Sequence, residues 1–432
     1  MELRKVVLVD GVRSAFARGG RGKLVATRLD EAGAQVLRAL LSRNPKVHPT
    51  AIEDIGLGNV AGSGEFVGLG TVARLAGLPL EACNFVTNRQ CGSSMETLHR
   101  VVTSIMTGAT ECGIALGIER MGRALGGGPR APQTRLTKLN PRLFKLTPEQ
   151  RNMAPDHDQT FSVKFPDYIL DSPPLQSMTQ TAQNAAECYG LSRAELDAFA
   201  AESHRKCARA YEGGFYKDEI VPLEVEEPVF DAEGNWVEAE TGKTVLFDRD
   251  ECLRADTTAE KLGALQPVKG IVSFGKQELV ITAGNSCPTN DGISAALLMS
   301  EDKARELRLE PLARIVGVGV AGVKPQVMGL GPIPSTKKAL RHAGITADEI
   351  DRVEFNEAFA AQVIPSLRDL GISPDKSNVN GGSIAIGHPL GATGARLVTT
   401  VARELRRSGG RYGLATQCIG AGMGISTILE RI

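Results

Sequence analysis

A strand–turn–helix–strand unit occurs twice in this chain. In the first half AIEDIGLGNVAG carries a strand that ends at Asn59, and Cys91 follows 32 residues later (91 − 59). In the second half ADEIDRVEFNEAF carries a similar strand that ends at Asn356, and His388 follows 32 residues later (388 − 356). Each is followed by a helix-like stretch, CGSSMETLHRVVTSIMTG or HPLGATGARLVTTVAREL, and then by a Gly-led strand, CGIALGIE or RYGLATQC. Strand–helix–strand spacing is narrow in any α/β chain, so coincidence is the competing explanation. A true duplication restricts the fold much further. Two similar halves would pack together, and equivalent positions, one a thiol and the other an imidazole, would face one another.

The rest of the chain keeps the same alternation. VVLV (6–9), IEDIGLGNV (52–60) and ECGIALGI (111–118) read as strands. LDEAGAQVLRALLSRN (29–44) reads as an amphipathic helix with Ala32, Val36, Leu40 and Leu41 on one face. Strands alternating with helices predict an α/β fold with buried, largely parallel sheets. With 432 residues, 42% apolar and 23% charged, the chain can bury a core that stands without disulfides. Lys+Arg and Asp+Glu are 50 each, which argues against bulk attraction to nucleic acid or to an anionic membrane surface. No apolar run approaches the roughly 18 residues of a membrane span. The start, MELRKVVLVDG, lacks the apolar core and cleavage site of a secretory signal, so a reducing cytoplasm is expected. The eight cysteines lie eight or more positions apart, without CxxC or zinc-ligand spacing, so no metal site is expected.

Between the halves the composition changes. From Ala124 to Arg151 six basic residues face one acid, Glu149, and four prolines break the stretch up. Leu136, Leu139, Leu143 and Leu146 within it could share a helical face, though a solvated basic loop is the plainer reading. LSRAELDAFAAESHRKCARAYEGG (191–214) predicts a helix with a capping box, Ser192 and Glu195, stopped by Gly213. His204 on it reads as a surface or packing residue. Residues 222–256 are acidic and turn-rich. The expected division is therefore 1–123 plus about 251–300 as the first half, 124–250 as an inserted loop domain, and 301–432 as the second half. The glycines at 62, 64 and 68 do not make a dinucleotide fingerprint, because the third comes one place late.

Three residues carry chemistry. Cys91, in NFVTNRQCGSSMETLH, is expected at a helix N-terminus, where the dipole and free N–H groups favour a thiolate and lower its pKa. A buried structural cysteine is the competing reading. His388, in NVNGGSIAIGHPLGATGAR, is held between Gly387 and Pro389 in a region with 11 glycines among residues 381–424. Glycine at that density suggests turns and close backbone approach, here to a ligand. A Cys–His pair is a recurring way to activate a thiol; a turn histidine with a satisfied hydrogen bond is the alternative. Cys418, in ATQCIGAGMG, suggests acid/base work beside the first thiol, and Gly420 to Gly424 offers backbone N–H groups for an oxyanion. A core cysteine on a terminal strand is the bland reading.

Taken together, NRQCGSSM, TAGNSCPTNDG (282–292), NEAFAAQ (356–362), GGSIAIGHPLGATGAR and QCIGAGMG make a specific set, with RADTTAEKLGALQP and VMGLGPIPSTKKAL as further matches. On these blocks the chain resembles the thiolase family along its whole length. The resemblance implies two similar halves in a five-layered αβαβα core with a loop domain inserted in the first. It implies Cys91 as the nucleophile that takes an acyl group from a coenzyme A thioester, and His388 as its activator. It implies Cys418 as the acid/base, one oxyanion hole from His388 and a water held by Asn356, and a second from the N–H groups of Cys91 and Gly420. Ala283, Ser286 and Cys287 fall in the block that would meet the substrate.

The implied reaction is thiolysis of a 3-oxoacyl-CoA, or its reverse, Claisen condensation. Coenzyme A enters as a substrate, with no permanently bound cofactor. The resemblance also implies a homodimer or homotetramer, with a β-oxidation partner subunit possible. The sequence departs from the family pattern at Cys287, where serine is common, at Ala421, where glycine is common and whose methyl tightens the last loop, and at Gln183 in TAQN. The long insert resembles the β-subunit of fatty-acid oxidation complexes, which usually carry HEAF, whereas this chain has NEAF. The basic stretch would hold the 3′-phosphate of coenzyme A or dock a partner; charge alone does not choose. The alternatives are a short-chain acetoacetyl-CoA thiolase, a condensing relative using acyl carrier protein, whose Cys-His-His triad Asn356 and Cys418 argue against, and a non-catalytic acyl-CoA- or lipid-binding protein.

Overall fold

The computed structural model describes residues 3–61, 70–124, 160–238 and 241–432. Nine strands matter to the site: β1 (Val6–Arg13), β2 (Asp54–Gly58), β3 (Cys83–Thr87), β4 (Cys112–Arg120), β5 (Asn290–Ser300), β6 (Ala313–Gly322), β7 (Ile350–Phe355), β8 (Tyr412–Ile419) and β9 (Met423–Glu430). They lie in the order β7-β8-β9-β6-β1-β5-β4-β2-β3, and the short strand Ala17–Arg18 pairs with β5.

The duplication is written in the hydrogen-bond ladder. In the first half β1, β5 and β4 pair antiparallel, then β4, β2 and β3 pair parallel. In the second half β6, β9 and β8 pair antiparallel, then β8 and β7 pair parallel. A parallel bridge from Val353 to Ser377 stands where β3 stands in the first half. The halves join where Val6–Leu8 pair with Ala313–Ile315, so one ten-stranded sheet runs through both. The expectation of largely parallel sheets is corrected: antiparallel pairs predominate. The cause is connectivity, since β9 follows β8 through a tight turn, and β5 returns beside β1 only after a long excursion.

Helices α1 (Leu29–Arg43), α2 (Ser93–Met106), α3 (Met178–Tyr189), α4 (Arg193–Glu212), α5 (Pro332–Ala343), α6 (Ala360–Leu370) and α7 (Thr393–Ser408) cover the sheet. Every residue of β1, β4 and β5 is buried. Their side chains divide with period two between two cores, as strands covered on both faces must. Val7, Val9, Ile114, Leu116, Ala295 and Leu297 pack with Val36, Leu37 and Leu40 of α1. Val6, Leu8, Ala115, Ala296 and Leu298 pack with Met95 and Leu98 of α2 and Leu397 and Val398 of α7. In the second half Ala415, Ile425 and Leu429 join that central core, while Leu414 and Ile428 face Ile333, Ala339 and Leu340 of α5. The result is the five-layered αβαβα stack, with α2 and α7 side by side in its middle. Leu37 takes the place on the buried face of α1 that Leu41, only half-buried, was expected to hold.

Between Arg120 and Asn290 none of the described residues belongs to the nine strands. α4 carries the predicted capping box of Ser192 and Glu195. It ends at Gly213, but the left-handed turn that redirects the chain belongs to Gly214, at φ 75°. The acidic stretch forms two small antiparallel ribbons, Leu223–Glu226 with Thr244–Phe247 and Val229–Phe230 with Trp236–Val237. His204 is a packing residue, its Nδ1 accepting from Arg254 N–H at 3.3 Å. The basic stretch with its leucines, from residue 125 on, and the glycine loop at 62–68 lie outside the described residues. Among those described, no helix is long and apolar enough to cross a membrane, and no group of three or more His, Cys, Asp or Glu could hold a metal.

Candidate active site

Cys91 sits in a tight turn between β3 and α2. Gln90, just before it, holds a left-handed φ of 47°, an unusual conformation for a residue with a side chain. Side chains bracket the turn. Asn88 Oδ1 accepts from Gln90 N–H at 3.1 Å, and Ser93 Oγ accepts from Arg89 N–H at 3.0 Å and donates to Gln90 O at 2.6 Å. From the other half Gln417, on β8, donates its Nε2 to Cys91 O at 2.7 Å. Gly92 then opens α2, where a Cβ would strike Ile419 and Ile425.

The expected acidic thiol is corrected. Cys91 is buried, and burial pushes its pKa up to about 11. The N–H groups of Gly420 and of Cys91 itself bond to the sulfur and pull the pKa down, while the Glu119 carboxylate adds to the rise. Desolvation of a sulfur inside the stack outweighs the helix terminus. The free thiol is therefore expected to react with iodoacetamide about tenfold faster for each pH unit between 7 and 10, without levelling off. A plateau near pH 8 in the alkylation rate would refute the neutral resting thiol.

His388 enters from the second half ahead of α7. Gly387 before it has φ 113°, and a side chain there would strike Asn290. Asn290 Oδ1 accepts from His388 N–H at 2.9 Å. The ring lies between two partners, Thr393 Oγ1 at 2.7 Å from Nδ1 and Asn356 Nδ2 at 3.3 Å from Nε2. Burial first, and then the Arg396 charge, lower its pKa to about 3, so the ring is neutral. Asn356 follows β7. Its N–H donates to Thr416 O at 2.9 Å, its carbonyl accepts from Gln362 Nε2 at 2.8 Å, and its Oδ1 accepts from Ser383 Oγ at 2.6 Å.

Cys418 is fully buried on β8. Burial, then the Cys91 charge, hold its pKa well up, while a contact with Gln362 draws it down. Gln362 therefore touches both Asn356 and the second thiol. Cys287 joins the group: burial, then the Cys91 charge, raise its pKa. Its N–H donates to Ala358 O at 2.9 Å. Ser286 turns its hydroxyl to Thr282 O at 2.7 Å, and Ala283 is exposed. The structure thus gathers Cys418, Cys287 and Gly420 around the Cys91 sulfur, and Gln362 links the second thiol to Asn356, which faces His388. A soft nucleophile with two N–H groups on it, a neutral base and a second thiol can carry an acyl group and move protons without a metal.

Several expectations need adjustment. The glycines after residue 381 chiefly admit the protein itself: Gly394 clears Met95, Gly382 clears Glu357, and Gly424 clears Gly331. Ala421 does not tighten the last loop. It is exposed and holds φ 70°, a conformation that costs an L-residue about 1–2 kcal/mol. Gln183 suits its place because it donates to Glu278 O at 2.9 Å and accepts from Val280 N–H at 3.0 Å, which a carboxylate cannot do. Missed from the sequence were Gln417, Gln362, Ser383, Thr393 and Glu119. The Glu119 carboxylate accepts from the N–H groups of Val60, Ala61 and Gly391 at 3.1, 3.0 and 2.9 Å. None carries a chemical signature in sequence, although Thr393 and Ser383 lie within the block around His388.

Comparison with known proteins places these features in a lineage. Two family models match, the thiolase N-terminal domain over residues 6–302 and the thiolase C-terminal domain over residues 309–431. The 3-ketoacyl-CoA thiolase of Vibrio parahaemolyticus is 39% identical, over 100% of this chain and 99% of its own. That of Marinobacter nauticus is 37% identical, over 99% of each chain. Human mitochondrial 3-ketoacyl-CoA thiolase superposes with a TM-score of 0.80 at 32% identity over the whole of both chains. It has also been solved in complex with CoA, and that structure superposes with a TM-score of 0.79. The acetyl-CoA acetyltransferase of Bacillus anthracis gives 0.79 at 31% identity, again over both whole chains.

Proposed function

The chain belongs to the thiolase family, and from that membership we propose that it is a coenzyme A-dependent acyltransferase that cleaves 3-oxoacyl-CoA by thiolysis, or runs the reverse condensation. The observation that carries the proposal is the Cys91 sulfur held by the N–H groups of Gly420 and Cys91, with the Cys418 thiol close enough to feel its charge. Cys91 is the nucleophile. Its sulfur attacks the 3-oxo carbonyl as its proton passes to His388 Nε2, and the N–H groups of Cys91 and Gly420 receive the developing oxyanion.

When the bond between C2 and C3 breaks, acetyl-CoA leaves as an enolate. The imidazolium N–H of His388 and a water on Asn356 face that oxygen, and Cys418 gives its proton to C2. The incoming coenzyme A thiol returns a proton to Cys418 and takes the acyl group from Cys91, whose departing sulfur recovers its proton from His388. Coenzyme A enters as a substrate. Two half-reactions through one acyl-enzyme give ping-pong kinetics. The block Ala283, Ser286 and Cys287 faces the substrate in this reading.

The names of the full-length relatives, 3-ketoacyl-CoA thiolases, favour a degradative role in fatty-acid β-oxidation. With it goes a cytoplasmic homodimer or homotetramer, alone or with a β-oxidation partner subunit, and the division into halves 1–123 with 251–300 and 301–432 around an insert at 124–250. The test is steady-state thiolysis of acetoacetyl-CoA beside a long-chain 3-oxoacyl-CoA. Preference for the long chain is the expected result. Activity confined to acetoacetyl-CoA would replace this role with that of a short-chain acetyltransferase. Folded protein active on neither would overturn the enzyme reading.

A further inference from the structure

His388 can act as a base only if its Nε2 is unprotonated, and Asn356 can face it with N–H only if its amide points one way. The hydrogen-bond chain through the site decides both. At one end Thr393 Oγ1 lies 2.8 Å from Pro389 O, a group that can only accept, so the Thr393 hydroxyl proton is committed there. Its remaining lone pairs face His388 Nδ1 at 2.7 Å, so Nδ1 must carry the ring proton. At the other end Arg396 donates Nη1 to Glu354 Oε2 at 2.6 Å and Nη2 to Ser383 Oγ at 3.0 Å. The Ser383 hydroxyl, already an acceptor, donates to Asn356 Oδ1 at 2.6 Å. That leaves Asn356 Nδ2 for His388 Nε2 at 3.3 Å. All of these side chains are buried.

We propose that Thr393 and Ser383 are positioning residues for the reaction. Thr393 fixes the His388 tautomer with Nε2 unprotonated, the form that can take the Cys91 proton, and Ser383, held by Arg396, orients the Asn356 amide toward it. The proposal rests on the thiolase reading above for its kinetic consequence, not for its tautomer.

The experiment labels the six histidines with nitrogen-15 in the intact protein and assigns His388 by difference from a His388→Gln sample. The expected spectrum has the proton on Nδ1 and none on Nε2. In Thr393→Val the signal should split between tautomers and kcat fall about 10- to 100-fold with KM nearly unchanged, while Thr393→Ser restores both. Ser383→Ala should likewise lower kcat with little change in KM and leave the tautomer in place. A purely packing role would not move the tautomer and would not distinguish serine from valine. A proton on Nε2 in the unmodified protein overturns the proposal, as does a Thr393→Val variant with undiminished kcat. If the unmodified protein cleaves no 3-oxoacyl-CoA, the activity assignment has failed, and the tautomer spectrum still decides the role of Thr393.

Discussion

Cys91→Ala is expected to lower the thiolysis rate by at least about 10⁴-fold, a loss of roughly 5.5 kcal/mol of transition-state stabilisation. Alanine keeps the backbone N–H of residue 91, the bond from Gln417 to its carbonyl and the packing of the turn. What disappears is the sulfur proposed to take the acyl group, so no acyl-enzyme is expected to form at residue 91. The raised thiol pKa, about 11, and the lowered imidazole pKa, about 3, favour a neutral thiol beside a neutral imidazole at rest. A standing thiolate–imidazolium pair is uphill there, so carbon–sulfur bond formation carries the cost of the proton transfer. Removing the sulfur removes both. Intact mass after mixing with an acyl-CoA should show one added acyl group on the unmodified protein and none on the variant. Turnover that survives the substitution would end the assignment of Cys91.

The places where sequence reading succeeded share one physical basis. Period-two and helical patterning reports which face of an element is buried, and it located α1, α2, α7 and most core strands. The 32-residue spacing found the related halves because a strand, a turn and a return have nearly fixed lengths. Even so, the equivalence is inexact, since α2 begins two residues after Cys91 and α7 five residues after His388. Strand direction was not legible. An antiparallel return after an excursion as long as that from Arg120 to Asn290 leaves no local mark. The Cys91 pKa was misjudged for a related reason. A helix terminus can be read from glycine and serine nearby, but desolvation depends on what the other half brings, here Ile419, Gln417 and the turn at Gly420. Ser383, Gln362 and Gln417 act through single hydrogen bonds to backbone or amide groups far away in sequence, and ordinary polar residues do not announce that.

Arg13→Ala is expected to destabilise the fold by about 3–5 kcal/mol. Arg13 ends β1, is 1% exposed, and lies between the rings of Phe16 and Tyr216 at 4.9 and 5.2 Å. Its guanidinium grips Asp250 with two bonds of 2.8 and 3.0 Å and Glu219 with a third of 3.3 Å. Its backbone pairs with Glu219 O and Val221 N–H, each at 2.8 Å. One side chain thus ties two distant points of the excursion, near residues 219 and 250, to the central sheet. Truncation leaves two buried carboxylates without a counter-charge, which costs more than the pair itself contributes.

The stranded charges can be tested directly by urea unfolding. Adding Asp250→Asn to Arg13→Met should recover part of the loss, because it removes a stranded charge while keeping an acceptor for Phe16 N–H, 2.7 Å away. A double variant no more stable than Arg13→Met would mean that Arg13 acts by filling space against the two rings and that its charge contributes little.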